Sequence, residues 1–235
     1  MQLILPILVL ATHNRDKIKE ITGLAAPLPI TIKTLDDFAD FPEVDETEAT
    51  LEGNALKKAR EIYAAVGGKF SEVPEATSVI VLSDDTGLEV DALGGAPGVY
   101  SARYASRQGE KVSYAQNVEK LLSEMDGIVN RRAQFRTVVA MVGNFSGLEK
   151  GKVSGFGKPN GASYFEKSFE GVATGEITAE QRGQSGFGYD PVFLSDALRK
   201  TFAELSSTDK NLVSHRGIAV RKALSFLQSL MTAPE

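Results

Sequence analysis

The run Val79-Ile80-Val81-Leu82 is apolar at every position and leads straight into Ser83-Asp84-Asp85-Thr86-Gly87. A strand with one wet face alternates apolar and polar residues. An unbroken β-branched run has no wet face and belongs inside a sheet covered on both sides by helices. That constrains the chain to an α/β architecture. Two carboxylates end the run, and the hydroxyl and glycine that follow predict a turn there. Neighbouring strand residues point to opposite faces, so Asp84 and Asp85 cannot share one solvated side. A carboxylate pair at a strand end suits a hard divalent cation or a general base, although a solvated acidic turn is the commoner use of the same dipeptide.

Elements of both kinds surround this strand. Leu8-Val9-Leu10-Ala11 reads as a first core strand, and Thr12-His13-Asn14 as a turn capping a helix over Arg15–Ala25. A second strand is predicted over Ile30–Leu35. The stretch Asp36–Glu48 carries seven carboxylates (Asp36, Asp37, Asp40, Glu43, Asp45, Glu46 and Glu48) and reads as a surface loop. Leu51, Ala55, Ala59, Ile62 and Val66 recur at helical spacing within a helix from about Thr50 to Val66, stopped by Gly67-Gly68. Lys69–Ser78 is a polar loop. A further helix is predicted near Lys111–Met125, burying Val112, Ala115, Val118, Leu122 and Met125. Ala133–Val142, a hairpin-like Ala162–Thr178 and Pro191–Leu194 read as strands. A closing helix over Arg216–Met231 buries Ile218, Val220, Leu224, Leu227 and Met231. The whole chain, 1–235, reads as one α/β domain whose β-rich second half could form its own lobe.

Composition removes several classes of function. With no cysteine among 235 residues, disulfides, thiolate zinc sites and cysteine nucleophiles are excluded. A net charge of −5 argues against a general nucleic-acid binder. No apolar run approaches the length that spans a membrane, and the apolar start lacks the basic flank of a signal peptide. Gly147-Leu148-Glu149-Lys150-Gly151-Lys152 is one residue short of a phosphate-binding loop and opens no helix. Gly183 to Gly188 is not a dinucleotide fingerprint, and His13 and His215 lie too far apart for a helical ligand pair.

Four polar clusters remain where strands end or helices begin. Thr12-His13-Asn14-Arg15-Asp16-Lys17 offers helix amides and a lysine to a phosphate, and is otherwise a capped helix. Asp84-Asp85 offers carboxylates. In Gly186-Phe187-Gly188-Tyr189-Asp190-Pro191 aromatic rings alternate with glycines, so a flat base could approach the backbone. Lys210 and Ser214-His215-Arg216-Gly217 place cations beside a helix start, suited to reading a carbonyl oxygen. Each cluster has a structural explanation of its own. Together they supply phosphate donors, metal carboxylates, a stacking ring and a base-edge reader.

These blocks, with Tyr100-Ser101-Ala102-Arg103-Tyr104, resemble the inosine/xanthosine triphosphate pyrophosphatase family, in family order from Leu8 to about Leu224. The resemblance implies hydrolysis of ITP, dITP and XTP to the monophosphate and pyrophosphate, with Mg²⁺ as cofactor. It also implies a cytoplasmic homodimer acting on a purine nucleoside triphosphate, with neither nucleic acid nor membrane as partner. The implied fold is an elongated mixed sheet flanked by helices, in two lobes with the active site in the cleft between them.

Carried over by position, the resemblance gives Thr12, His13, Asn14, Arg15, Asp16, Lys17 and Lys58 to the phosphates, with Thr86 where the family usually has serine. It gives Glu46 and Asp85 to the metal, and makes Asp85 the proton acceptor with Asp84 beside it. Phe187, Gly188, Tyr189 and Asp190 would hold the base, and Lys210, His215 and Arg216 would read it. Gly53 stands where relatives usually have glutamate, which could loosen the helix start. A related Maf-like pyrophosphatase acting on pyrimidine or modified nucleotides, and a nucleotide sensor without turnover, are the competing readings.

Overall fold

In the computed structural model, strand β1 (Ile7–Leu10) lies between β2 (Thr31–Thr34) and β3 (Val79–Val90), parallel to both. The model describes residues 5–38, 41, 44–67, 78–107, 109–145 and 164–232. The predicted loop Lys69–Ser78 up to residue 77, the Gly147–Lys152 stretch, and Asp40 and Glu43 lie outside the described residues. The remaining strands are β4 (Pro97–Gly98), β5 (Arg132–Asn144), β6 (Tyr164–Ile177) and β7 (Phe193–Ser195). Hydrogen-bonded neighbours follow the order β2-β1-β3-β5-β6-β7, and β4 pairs with β3. The sheet is mixed, since β3–β4 and β6–β7 are antiparallel. The helices are α1 (Arg15–Ala25), α2 (Leu51–Gly67), α3 (Tyr114–Glu124), α4 (Ser207–Val213) and α5 (His215–Thr232).

The chain divides into two compact units, one of residues 1–85, 138–169 and 220–235, the other of residues 86–137 and 170–219. The division therefore does not follow the halves of the sequence, as a lobe built from the β-rich second half would require. The chain passes from one unit to the other within β3 and α5, near Thr137 in β5 and after Phe169 in β6.

In the first unit, Leu8, Val9, Leu10, Ile80, Val81 and Leu82 are almost wholly buried, as the unbroken apolar runs require. The predicted inner face of α2 is also buried at all five positions, Leu51, Ala55, Ala59, Ile62 and Val66. Gly53 does not loosen the start of α2: its amide donates to the Thr50 hydroxyl at 3.0 Å.

The predicted turn at Asp84–Gly87 does not form. Strand β3 continues through it to Val90, and both Leu88 and Val90 are fully buried. Gly87 serves contact instead of bending: a Cβ there would stand 2.8 Å from the Gly98 carbonyl oxygen on β4. The predicted hairpin in Ala162–Thr178 is likewise one uninterrupted strand over its described part. Its glycines admit neighbours, because a Cβ on Gly171 would meet the His215 carbonyl oxygen at 2.1 Å and one on Gly175 the Leu194 carbonyl at 2.3 Å.

Helix α3 buries Val118 and its C-cap Met125 and packs Leu122 against the core, as predicted. Asn117 and Leu121 are buried beside them, Ala115 is exposed, and the Ser113 cap with Gln116 starts the helix after Val112. In α5, Val220, Leu224 and Leu227 are buried as predicted, while Ile218 and Met231 are only partly covered. The core of the second unit gathers Leu88, Val118, Phe135, Ile177, Tyr189, Phe193 and Phe202. Helix α4, which carries Lys210, has no counterpart among the predicted elements.

Candidate active site

Strands β1 and β3 run in register to Leu10 and Leu82, and the Ala11 amide donates to the Leu82 carbonyl at 2.8 Å. Past that point β1 turns into α1 while β3 goes on, so the first turn of α1 meets the carboxylates of β3. Lys17 Nζ stands 3.1 Å from Asp84 Oδ1, and the Asp84 side chain has no solvent exposure. Asp85 is also buried. Its Oδ2 accepts from Asn54 Nδ2 at 3.1 Å, and Asn54 Oδ1 in turn accepts from the Glu48 amide at 2.9 Å. Lys58, one turn further along α2, is hydrogen-bonded to Glu46. The acidic loop, read as solvated surface, is thus tied to α2 through Glu46 and Glu48.

The electrostatics of this cluster follow from its burial. Burial, and then the Glu46 carboxylate, push Asp85 up to about 6, against Lys17, the Asn54 hydrogen bond and Lys58. Burial also disfavours the Lys58 ammonium, but Glu46, Asp84 and Asp85 together outweigh it and hold Lys58 above its ordinary range. Asp85 is a carboxylate poised near neutrality, beside a Lys58 ammonium held in its charged form.

The start of α1 is capped within Thr12-His13-Asn14, as the sequence predicts. Asn14 Oδ1 accepts from the amides of Asp16 and Lys17, at 2.9 and 3.2 Å, so those two amides are engaged by the cap. Thr12 Oγ1 accepts from the Asn14 amide. Arg15 and Asp16 are exposed, and His13 faces Asp36 on the surface. Lys17 of this block reaches the buried Asp84 carboxylate.

A second cluster is built within the other unit around Phe187. Asp190 Oδ2 accepts from the Phe187 amide at 2.8 Å and from Lys210 Nζ at 2.6 Å, and this pins the Gly186–Asp190 turn to α4. Lys210 Nζ lies 4.7 Å from the Phe187 ring centroid, and Arg216 Cζ lies 5.2 Å from it. The guanidinium is held from behind, since Arg216 Nη2 donates to Thr86 Oγ1 at 3.2 Å. The buried His215 ring stacks on Phe135, 4.4 Å between centroids at 18°. The geometry therefore brings Phe187, Asp190, Lys210, Arg216 and Thr86 together.

Tyr189 departs from the expected base-holding role. It is buried in the core and its hydroxyl donates to the Ser101 carbonyl at 2.9 Å. Gly188, at φ 61°, lets the turn send Phe187 one way and Tyr189 the other. Asn54 was not singled out for a site role from the sequence. The available signal was an amide on the apolar face of α2, next to Ala55, where only a buried partner could repay it.

The sequence profile of the Ham1 family matches residues 8–226 of this chain. A dITP/XTP pyrophosphatase of Chlorobaculum tepidum is 45% identical over 216 residues, covering 91% of this chain and 88% of its own. A dITP/XTP pyrophosphatase of Exiguobacterium sp. is 41% identical over 215 residues, covering 92% and 93%. The solved structure of a HAM1 protein from Coxiella burnetii superposes with a TM-score of 0.74 at 31% identity, covering 96% of this chain and all of that one.

Proposed function

This chain belongs to the Ham1 family, and on that premise we propose that it hydrolyses ITP, dITP and XTP to the monophosphate and pyrophosphate. The observation that carries the reading is Asp85: a buried carboxylate held near neutrality, tied to Asn54 and set among Lys17, Lys58 and Glu46. A phosphoric anhydride needs no covalent nucleophile from the protein, only a placed water, a base and compensation for charge.

The donor set fits a Mg²⁺ ion. Among the described residues no three acidic or imidazole side chains form a closed cage. A magnesium site needs none, because this ion commonly takes one or two carboxylates and fills its shell with phosphate oxygens and water. Burial first, and then repulsion from Glu46, raise Asp85, and a cation between the two carboxylates would relieve that repulsion. Asp85 and Glu46 would hold the ion, which supplies charge neutralisation to the phosphates.

In this reading the protein's own steps use the groups gathered around Asp85 and Phe187. Asp85 orients a water and takes its proton as the water oxygen bonds to the α-phosphorus and the bond to the departing pyrophosphate breaks. Lys17 and Lys58, now paired with Asp84 and Glu46, exchange those carboxylates for phosphate oxygens and stabilise the developing charge. Asp84 holds Lys17 in place until then. Phe187 provides an aromatic face for the base, and Arg216 and Lys210 donate toward the oxygen at its 6-position. Adenine carries an amino donor there, and donor facing donor costs about 1–3 kcal/mol for each buried group left unpaired. Action as a homodimer in the cytoplasm accompanies this reading.

The test is pyrophosphate release from ITP, dITP, XTP, GTP and ATP, with and without Mg²⁺. The reading expects metal-dependent release from the first three with little from ATP. Equal rates on ATP and ITP, or turnover indifferent to metal chelation, would overturn it.

A further inference from the structure

Lys57 stands beside Lys58 on α2, and its ammonium joins the residues on either side of Glu46. Its Nζ donates to the Asp45 carbonyl at 2.8 Å and to the Thr47 hydroxyl at 2.8 Å. The Asp45 carbonyl also accepts from the Thr47 amide at 3.1 Å. Glu46 is therefore the middle residue of a tight turn whose flanks are tied to each other and to one lysine. An ammonium has three donors, and two of them close on this one turn. The Glu61 carboxylate, one turn along the helix, stands 3.9 Å from the same nitrogen.

Asn54, Lys57 and Lys58 occupy positions i, i+3 and i+4 and so share one face of α2. They hold the loop at different points: Asn54 takes the Glu48 amide, Lys57 the flanks of Glu46, and Lys58 its carboxylate. The holds differ in what substrate binding asks of them. Lys58 releases Glu46 for a phosphate oxygen as Glu46 turns to the metal. Lys57 grips a backbone carbonyl and a hydroxyl, which take no part in that exchange. Its hold on the turn outlasts the one that Lys58 gives up.

We propose that Lys57 is a positioning residue for the metal site: it clamps the Asp45–Thr47 turn and so presents Glu46 to Mg²⁺. This rests on the reading of Glu46 as a metal ligand. Charge alone predicts the opposite sign, because removing a cation beside the site would tighten Mg²⁺ binding, whereas removing a clamp weakens it.

Lys57→Met keeps the stem and the helix propensity and removes the donors. Two measurements test it: amide hydrogen exchange of the Asp45–Glu48 segment in the metal-free protein, and the Mg²⁺ concentration giving half-maximal ITP hydrolysis. Exchange is expected to quicken about tenfold, the equivalent of one hydrogen bond to a charged group. The Mg²⁺ requirement should rise about tenfold, as when the support of a metal ligand is removed. At saturating Mg²⁺ kcat should change less than about twofold, since the clamp touches no reacting atom. Thr47→Val removes one acceptor and leaves the lysine charge in place, and should move both readouts the same way by about threefold. Wild-type exchange in Lys57→Met, a Mg²⁺ requirement at or below that of the wild type, or a Thr47→Val variant unchanged in both readouts overturns the proposal. A wild type whose turnover ignores Mg²⁺ removes the metal reading as well. A metal-dependent wild type with an equally metal-dependent Lys57→Met variant removes this inference alone.

Discussion

Asn54 bridges Asp85 to the acidic loop: its Nδ2 donates to Asp85 Oδ2 at 3.1 Å while its Oδ1 accepts from the Glu48 amide at 2.9 Å. Both bonds are fixed by one nearly inaccessible carboxamide on α2. The helix thus sets the orientation of the base and the entry of the loop that carries Glu46.

Replacing Asn54 with Ala removes the donor that opposes the rise in Asp85. The acid limb of the kcat/KM profile is expected to move to higher pH, with kcat/KM at pH 7 falling about 10- to 100-fold, the usual loss when the partner that orients a ligating group is removed. A pH–rate series on ITP measures both. An unmoved acid limb would mean that Asn54 only packs.

Asp85→Asn should abolish turnover and yet stabilise the metal-free protein. Asp85 titrates near 6 in the folded chain against an ordinary value of 3.8, so folding favours its protonated form. The stability that proton contributes is complete below about 3.8 and lost as pH rises through about 6. The neutral carboxamide does not suffer that loss. Chemical denaturation should find the variant more stable at pH 8, by on the order of 1–3 kcal/mol, with the gap closing at pH 4.

Lys210 and Asp190 form a buried pair at 2.6 Å, each about 5% exposed or less in its side chain. Asp190→Asn removes the charge that faces the buried Lys210 ammonium, and should cost about 3–5 kcal/mol. Adding Lys210→Met should recover much of that stability while leaving KM for ITP high. A double-mutant cycle, read by denaturation and by kinetics, separates the two effects.

Gly171→Ala would place a methyl group 2.1 Å from the His215 carbonyl and 2.6 Å from the Ala219 amide, both backbone atoms of α5. The helix start carrying His215 and Arg216 must move. The expected loss is about 1–3 kcal/mol by overpacking, with a higher KM for ITP and a smaller effect on kcat. Gly23→Ala, where nothing lies within 4 Å, is the control.

Local pattern carried a good part of the fold. The limits of α1, the five buried positions of α2 and the double-sided burial of β1 and β3 all follow from periods within a few residues. The family blocks named residues that the structure gathers into two clusters, Lys17 with Asp84 in one and Phe187, Asp190, Lys210 and Arg216 in the other. Glycine was the main source of error. Gly87 was read as turn chemistry, and it serves instead as room for a neighbouring backbone.

What the sequence determined by itself was the α/β class, the position of the principal helices and the chemistry available: carboxylates and lysines early, aromatic and cationic groups late. Tertiary structure alone decided which groups meet. Asn54 finds Asp85 across 31 positions, Thr86 finds Thr137 across 51 and Arg216 across 130. It also decided that Phe187 stays at the candidate site while Tyr189 enters the core. The reason is physical: periodicity records which face of an element is dry, a property of that element alone. A hydrogen bond between distant residues depends on where strands and helices cross, and that register is set by packing the whole unit at once.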